Sequence, residues 1–135
     1  MRVCYALLYR DTADPEVAPE RLLERRLMLR HLPREMAARG HETMVVQHFP
    51  TRVTLDDEGV RHEFVPPSRW ARAGAGVGGR LLSREPGYLE AATSAARTIR
   101  RFKPDVVHYF GLTLTLNLAL VELALGRRGP PIVVS

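Results

Sequence analysis

The strongest constraint on the fold is the run Lys-Pro-Asp-Val-Val-His-Tyr-Phe-Gly at residues 103–111. Pro104 disfavours the right-handed helical conformation for Lys103, which predicts that a helix ends there. The two valines and the tyrosine favour a pleated backbone, and Gly111 allows a tight exit from it. The run therefore predicts a buried strand with His108 near its carboxyl end. In open α/β sheets, that edge is where ligands bind.

Bulk composition bounds the class of protein. The chain has 135 residues, 45% of them hydrophobic, which suits one domain with its own core. Cys4 is the only cysteine and lies in an apolar run, so a buried thiol is expected. An internal disulfide and a Cys-x-x-Cys metal site are excluded. The sequence shows no secretory leader and no membrane-length apolar segment, which predicts a cytoplasmic location.

The chain is basic, with a formal net charge of +5. All but one of its basic residues are arginine. Arginine suits phosphate and anionic head groups. The balance permits nucleic acid, an anionic membrane or a phosphorylated substrate as partner and selects none of them.

One arginine set has helical spacing: Arg26, Arg30 and Arg34 recur at intervals of four residues. Such a face could contact anionic lipid at the inner side of a membrane, which would make the protein a peripheral one there. The alternative is a solvated face whose charge is balanced by nearby glutamates. These glutamates are Glu20, Glu24 and Glu35.

Strand and helix patterns alternate along the chain. The predicted strands are residues 3–9, 41–49, 105–110 and 131–135, with a hairpin at 52–65 around an Asp-Asp-Glu-Gly turn. The predicted helices are residues 17–39, 87–102 and 112–125, although the alternating leucines at 112–120 also fit a strand. Pro33 should bend the first helix or divide it into two segments near residues 29–32, and Gly40 should end it.

This order predicts a Rossmann-like three-layer α/β/α fold with a mostly parallel sheet and right-handed crossovers. If the order of the parallel strands is 3-2-1-4-5, a ligand crevice lies above the first and fourth of them. Residues 68–85, rich in glycine and arginine, predict a mobile loop. The chain stops within a strand, which predicts a fragment of a longer polypeptide.

Four segments together resemble a known family. The chain opens with Met-Arg-Val, and its first helix leads into Met-Ala-Ala-Arg-Gly-His-Glu-Thr-Met-Val-Val at residues 36–46. The run at 103–111 and Pro-Ile-Val-Val-Ser at 131–135 follow in order. These segments are similar to the N-terminal domain of GT-B glycosyltransferases of family 4, also called glycosyl transferase group 1. The resemblance covers nearly the whole chain except about residues 66–85.

The resemblance implies an enzyme with two Rossmann-like domains, the N-terminal one for the acceptor and the C-terminal one for a nucleotide-diphosphate sugar. Residues 1–135 would be the acceptor-binding domain, truncated at about the fifth strand and inactive alone. The whole enzyme would be a retaining hexosyltransferase without cofactor or metal. The expected partners are a small-molecule, sugar or lipid-linked acceptor and the protein's own C-terminal domain, with no nucleic acid.

The candidate site residues follow the first strand and the strand at 105–110. The sequence departs from the family twice, because the first loop lacks a glycine pair and a phenylalanine replaces the second histidine of the His-x-His pattern. Strand alternation directs His108 and Phe110 to one face and Tyr109 to the other. No catalytic residue is assigned. The candidates for the acceptor and donor cleft are Arg10, Asp11, Thr12, His108, Phe110, Gly111 and Thr113, the last also a helix N-cap.

Each candidate has a simpler alternative. His108 could orient an acceptor hydroxyl or be a hydrogen-bonded core histidine. Arg10 and Asp11 could bind phosphate and sugar hydroxyls or form a solvated turn. For the whole chain, the alternatives are a free-standing binding module for an anionic ligand or nucleic acid, and a receiver-like regulatory domain. The last needs an acidic cluster at a strand end, whereas Asp56 and Asp57 lie in the predicted turn.

Overall fold

The computed structural model describes residues 1–8, 17–25, 27–66, 87–110 and 115–135. Within these ranges, strands and helices alternate as the sequence predicts. The strands are β1 (Arg2–Leu7), β2 (Glu42–His48), β3 (Val53–Asp57), β4 (Val60–Val65), β5 (Val106–Phe110) and β6 (Ile132–Val134). The helices are α1 (Pro19–Arg25), α2 (Leu27–Ala38), α3 (Gly87–Phe102) and α4 (Thr115–Leu125).

The six strands form one sheet in the order β3-β4-β2-β1-β5-β6. Every neighbouring pair is parallel except β3 and β4, which form the predicted antiparallel hairpin. Without the hairpin arm β3, the order of the parallel strands is the expected 3-2-1-4-5. Strands β1 and β5 are parallel neighbours, with Tyr5 opposite His108. The Rossmann-like fold predicted from the sequence is confirmed.

Residues of β1 alternate between two apolar cores, one on each side of the sheet. The back face, which contacts α3 and α4, includes Cys4 and Ala6 with Ile99 of α3 and Val121 of α4. The front face includes Tyr5, and α1 and α2 cover it. A central strand buried on both faces explains why residues 3–8 read as a continuous apolar run.

The end of α2 explains the Arg-Gly-His segment. Gly40 has a φ of 84°, a left-handed conformation that glycine adopts without steric cost. Its N–H donates to the carbonyl of Ala37 at 2.9 Å, and the N–H of His41 donates to that of Met36 at 3.1 Å. These two bonds form a Schellman motif, which ends the helix and turns the chain into β2.

The junction between α3 and β5 ties three elements together. Lys103 has a φ of 53°, so the helix ends before Pro104, as the proline predicts. Beyond it, the N–H of Asp105 donates to the carbonyl of Arg2 at 2.8 Å, and a carboxylate oxygen of Asp105 accepts from the N–H of Arg2 at 2.6 Å. This pair of bonds fixes the start of β1 against the start of β5.

Two local predictions need correction. The division expected near residues 29–32 does not occur, because α2 runs from Leu27 to Ala38 with Pro33 inside it, and Arg26, between α1 and α2, lies outside the described residues. Leu29 and Pro33 are one turn apart and both buried, so packing on the sheet keeps the helix continuous through the proline. The first strand ends at Leu7, two residues earlier than expected. The predicted loop at 68–85 lies outside the described residues.

Gly40→Ala should lower the free energy of unfolding by about 1 kcal/mol, because alanine pays the steric cost of the left-handed conformation. A Cβ at this position would meet no atom within 4 Å, so the loss should come from the backbone alone. Gly40→Asn is the control and should lose less, since asparagine tolerates this conformation better. Urea unfolding measures both variants. Equal stability of the wild type and Gly40→Ala would contradict the assignment.

Candidate functional site

The carboxyl edge of the sheet, where the five parallel strands end, is the candidate site. Because β1, β2, β4, β5 and β6 run in the same direction, the loops that follow them leave from this one edge. The central pair β1 and β5 is also the point at which the strand order reverses, and α/β proteins place their ligand crevice there.

An aromatic cluster on the front face lies next to this edge. It consists of Tyr5, His108 and Phe110. The ring centroids of His108 and Phe110 are 4.4 Å apart and nearly parallel, and Tyr5 lies 5.6 Å from His108 and 6.1 Å from Phe110. Tyr5 is buried, whereas His108 and Phe110 are half-buried. The cluster confirms that these two residues share a face, with Tyr109 on the opposite one.

The imidazole of His108 is held by a neighbour from the next strand. Its Nε2 lies 2.9 Å from Oγ of Ser135, and the N–H of Ser135 donates to the carbonyl of Tyr109 at 3.1 Å. Burial lowers the pKa of His108 below its usual value of 6.5. The ring is therefore neutral at pH 7, with one nitrogen that donates and one that accepts. A neutral imidazole at a crevice can hydrogen-bond a hydroxyl group and take its proton.

Gln47 is a site residue that sequence reasoning missed. It is on the front face near the end of β2, opposite Leu7 of β1, and only 1% of it is exposed. In the part of the chain that the structure describes, neither its amide oxygen nor its amide nitrogen has a hydrogen-bond partner. An unpaired buried amide costs about 1–3 kcal/mol. The signal was available, because Gln47 is a polar residue near the carboxyl end of an apolar strand.

The structure describes only some of the predicted site residues. Two of the seven candidates, His108 and Phe110, lie in described positions, and these two are brought together. The remaining five lie outside the described residues. They are Arg10, Asp11, Thr12, Gly111 and Thr113.

Helix α2 carries Arg30 and Arg34, two of the three arginines for which a lipid contact or a solvated face was expected, and the third, Arg26, lies outside the described residues. The Arg34 guanidinium binds both carboxylate oxygens of Asp57, with Nε 2.9 Å from Oδ2, and its Nη1 is 2.9 Å from Glu58. Nε of Arg30 lies 3.4 Å from the same Asp57 oxygen. The hydrogen bond from Arg34 lowers the pKa of Asp57. Both arginines therefore fasten α2 to the β3–β4 hairpin.

The acidic residues that balance these arginines differ from those expected. The hairpin supplies the carboxylates for Arg30 and Arg34, whereas Glu35 pairs with Arg39 at 3.0 Å along the helix. Sequence spacing within one helix cannot reveal a partner on another element. His62 lies 4.0 Å from Asp57, but burial lowers its pKa to about 4, so the ring is neutral at pH 7.

Two further observations concern metal binding and membrane spanning. Among the described residues, no three His, Cys, Asp or Glu side chains come close enough together to hold a metal ion. No helix in the described ranges has the length and apolar character needed to cross a bilayer.

The fold defines an α/β protein of the Rossmann-like class, in which ligands bind at the carboxyl ends of two adjacent parallel strands. The family model for Glycosyltransferase Family 4 matches residues 27–135, and the chain belongs to that family. The match confirms the resemblance read from the sequence, and glycosyl transfer is the activity it supports at the level of the family. No curated protein matches the chain.

His108 should titrate below pH 6.5 in the folded protein, because its pKa is lowered by burial. Its contribution to stability is then complete above the unfolded pKa and declines as the pH falls toward the folded one. Phe110→Ala opens the aromatic cluster to water and should raise the pKa toward its usual value. Phe49→Ala, whose ring packs on Phe64 instead, is the matched control and should leave it unchanged. NMR titration of the imidazole signals measures all three proteins, and a midpoint at or above 6.5 in the wild type would refute the burial argument.

Proposed function

We propose that the chain is the acceptor-side domain of a glycosyltransferase that moves a sugar from a nucleotide-diphosphate sugar to a hydroxyl acceptor. The observation that carries the proposal is the half-buried, neutral His108 in the aromatic cluster at the carboxyl edge of β1 and β5. Membership of the family supplies the reaction class. The geometry supplies a hydroxyl-binding group at the edge where such a fold takes its ligand.

The chemistry of the cluster suits a polyhydroxyl acceptor. Aromatic rings such as that of Phe110 offer apolar faces on which the C–H face of a sugar can pack. His108 then binds a hydroxyl of that sugar through one imidazole nitrogen. Gln47 has a donor and an acceptor without partners among the described residues, and these match adjacent hydroxyls on one ring. The loops after β1 and β5 add Arg10, Asp11, Thr12, Gly111 and Thr113, by their position in the chain, to the proposed cleft.

Residues 1–135 would supply one wall of a two-domain cleft. Charge develops on the departing diphosphate, and its stabilisation is usually the largest contribution to the rate. The proposed second domain would bind that diphosphate, so residues 1–135 would be inactive without it. We include in this proposal a retaining outcome and a reaction without metal or organic cofactor. The acceptor would be a small molecule, a sugar or a lipid-linked sugar.

A peripheral contact with an anionic membrane at its cytoplasmic side is a separate proposal. Its support is an apolar surface on α2, where Leu27 and Met28 are 57% and 67% exposed and Leu32 is partly so. Leu27→Ser with Met28→Ser should reduce co-sedimentation with vesicles that contain phosphatidylglycerol by several-fold. Leu123→Ser, which changes an exposed leucine on α4, is the control. Equal binding of all three proteins would contradict the proposal.

The transfer step is tested in the full-length protein with UDP- and GDP-sugars as donors and a panel of sugar and alcohol acceptors. His108→Ala should lower kcat at least 100-fold, within the range for loss of a general acid–base group, and His108→Gln should recover part of it. Tyr109→Phe is the matched control, because it changes the adjacent residue on the back face and removes only a hydroxyl without a described partner. If His108→Ala keeps wild-type activity, the role of His108 is wrong. If the wild type transfers no sugar from any donor, the proposed reaction is wrong.

A further inference from the structure

A pocket of about 250 Å³ lies on the back face of the sheet, beside the carboxyl end of α3. It is bounded by the beginnings of β1 and β2, by β4 and the residue before β3, and by the last turns of α3. Buried Met44 and Thr98 form its floor. Its walls carry four arginines and two glutamates. The arginines are Arg2, Arg52, Arg61 and Arg101, and the glutamates are Glu42 and Glu63.

The two glutamates neutralise only part of this positive charge. Nε of Arg2 is 2.7 Å from Glu42, and Nε of Arg61 is 2.8 Å from Glu63, which also lies 3.6 Å from Arg52. The four arginines and two glutamates give the walls a net charge of +2. Arg101 has no carboxylate partner among the residues that the structure describes.

The carboxylate of Glu63 holds two of the arginines in place. Its side chain is only 5% exposed, and it contacts both Arg61 and Arg52. A guanidinium has five N–H donors, and Arg61 directs two of its nitrogens at this carboxylate, so donors remain for a ligand. Within the described ranges, the donors of Arg101 are not engaged by any carboxylate. Arginines that are fixed before a ligand arrives lose less conformational entropy when it binds.

The negative carboxyl end of α3 offsets part of the positive charge of the pocket walls, but not all of it. The carboxyl end of a helix carries about half a negative charge, and Nη1 of Arg2 lies 3.4 Å from the carbonyl of Phe102 there. Half a charge offsets only a quarter of the net positive charge on the walls. The remaining charge faces a concave space lined by unused N–H donors.

We infer that this back-face pocket binds an anion of the phosphate class, either free phosphate or the phosphate group of a small organic molecule or lipid. Its volume lies just below the roughly 300–1,000 Å³ of ordinary small-molecule sites, which suits a phosphate with a small organic body. Guanidinium groups match phosphate oxygens in geometry and charge. The pocket lies on the back face and the aromatic cluster on the front face, so this inference does not depend on the proposed sugar transfer.

Calorimetric titration of the full-length protein with inorganic phosphate at low ionic strength tests the inference. The wild type should bind phosphate saturably, and Arg101→Gln should weaken binding at least ten-fold. Arg100→Gln is the matched control, because it removes the same charge from the adjacent position of α3 and does not line the pocket. Circular dichroism melting should show that both variants are as folded as the wild type.

The source of the phosphate is resolved by two further probes in the same assay series. A hexose 6-phosphate that binds more tightly than inorganic phosphate would indicate a soluble metabolite, and tighter binding to phosphatidate vesicles would indicate a lipid. Each result supports the site only if Arg101→Gln reduces it and Arg100→Gln does not. Equal losses in the two variants would show attraction by net charge alone and overturn the inference. Absence of binding to every probe at millimolar concentration would overturn it as well.

Discussion

The parallel pairing of β1 with β5 is the constraint on which the rest of the structure depends. These strands are joined at residues 103 positions apart, and the register places Tyr5 opposite His108 and Leu7 opposite Phe110. A shift of one residue would exchange the two faces of β5. Tyr109 would then replace His108 beside Tyr5, and the aromatic cluster would be lost. The bonds between Arg2 and Asp105 help to fix this register at the start of both strands.

The two faces of the sheet differ in chemistry. On the back face beside α3, four arginines and two glutamates line a pocket and leave an excess of positive charge. Near the carboxyl edge, the described front-face groups are neutral: an imidazole whose pKa is lowered, aromatic rings and an unpaired amide. Guanidinium groups select anions, whereas neutral donors and acceptors suit hydroxyls. One sheet thus presents two kinds of binding surface.

Local sequence signals predicted the elements well, and long-range partners much less. Helix α3 begins and ends at the residues that its spacing and Pro104 predict. The hairpin forms as expected, but its turn is only Glu58 and Gly59, because Asp56 and Asp57, predicted to lie in the turn, are the last residues of β3. Alternation correctly separated His108 from Tyr109. The partners of Arg34 were missed because Asp57 and Glu58 lie on a different element, more than twenty residues away. The back-face pocket was missed for the same reason, since its arginines come from three separate parts of the chain: the start of β1, the β3–β4 hairpin and the end of α3.

The neutral front face limits which part of the proposed transfer its residues could assist: binding of the acceptor or stabilisation of the departing diphosphate. A histidine whose pKa is lowered by burial gives little positive charge with which to stabilise a departing diphosphate. It remains available to hydrogen-bond a hydroxyl, which a protonated imidazole could do only as a donor. In the proposed reaction this surface would therefore bind the acceptor, and the groups that compensate the diphosphate charge would come from elsewhere in the proposed cleft. Under this proposal, burial of His108 beside Tyr5 and Phe110 would favour binding of the acceptor hydroxyl over stabilisation of the leaving group, and the opposite wall of the cleft would supply the positive charge.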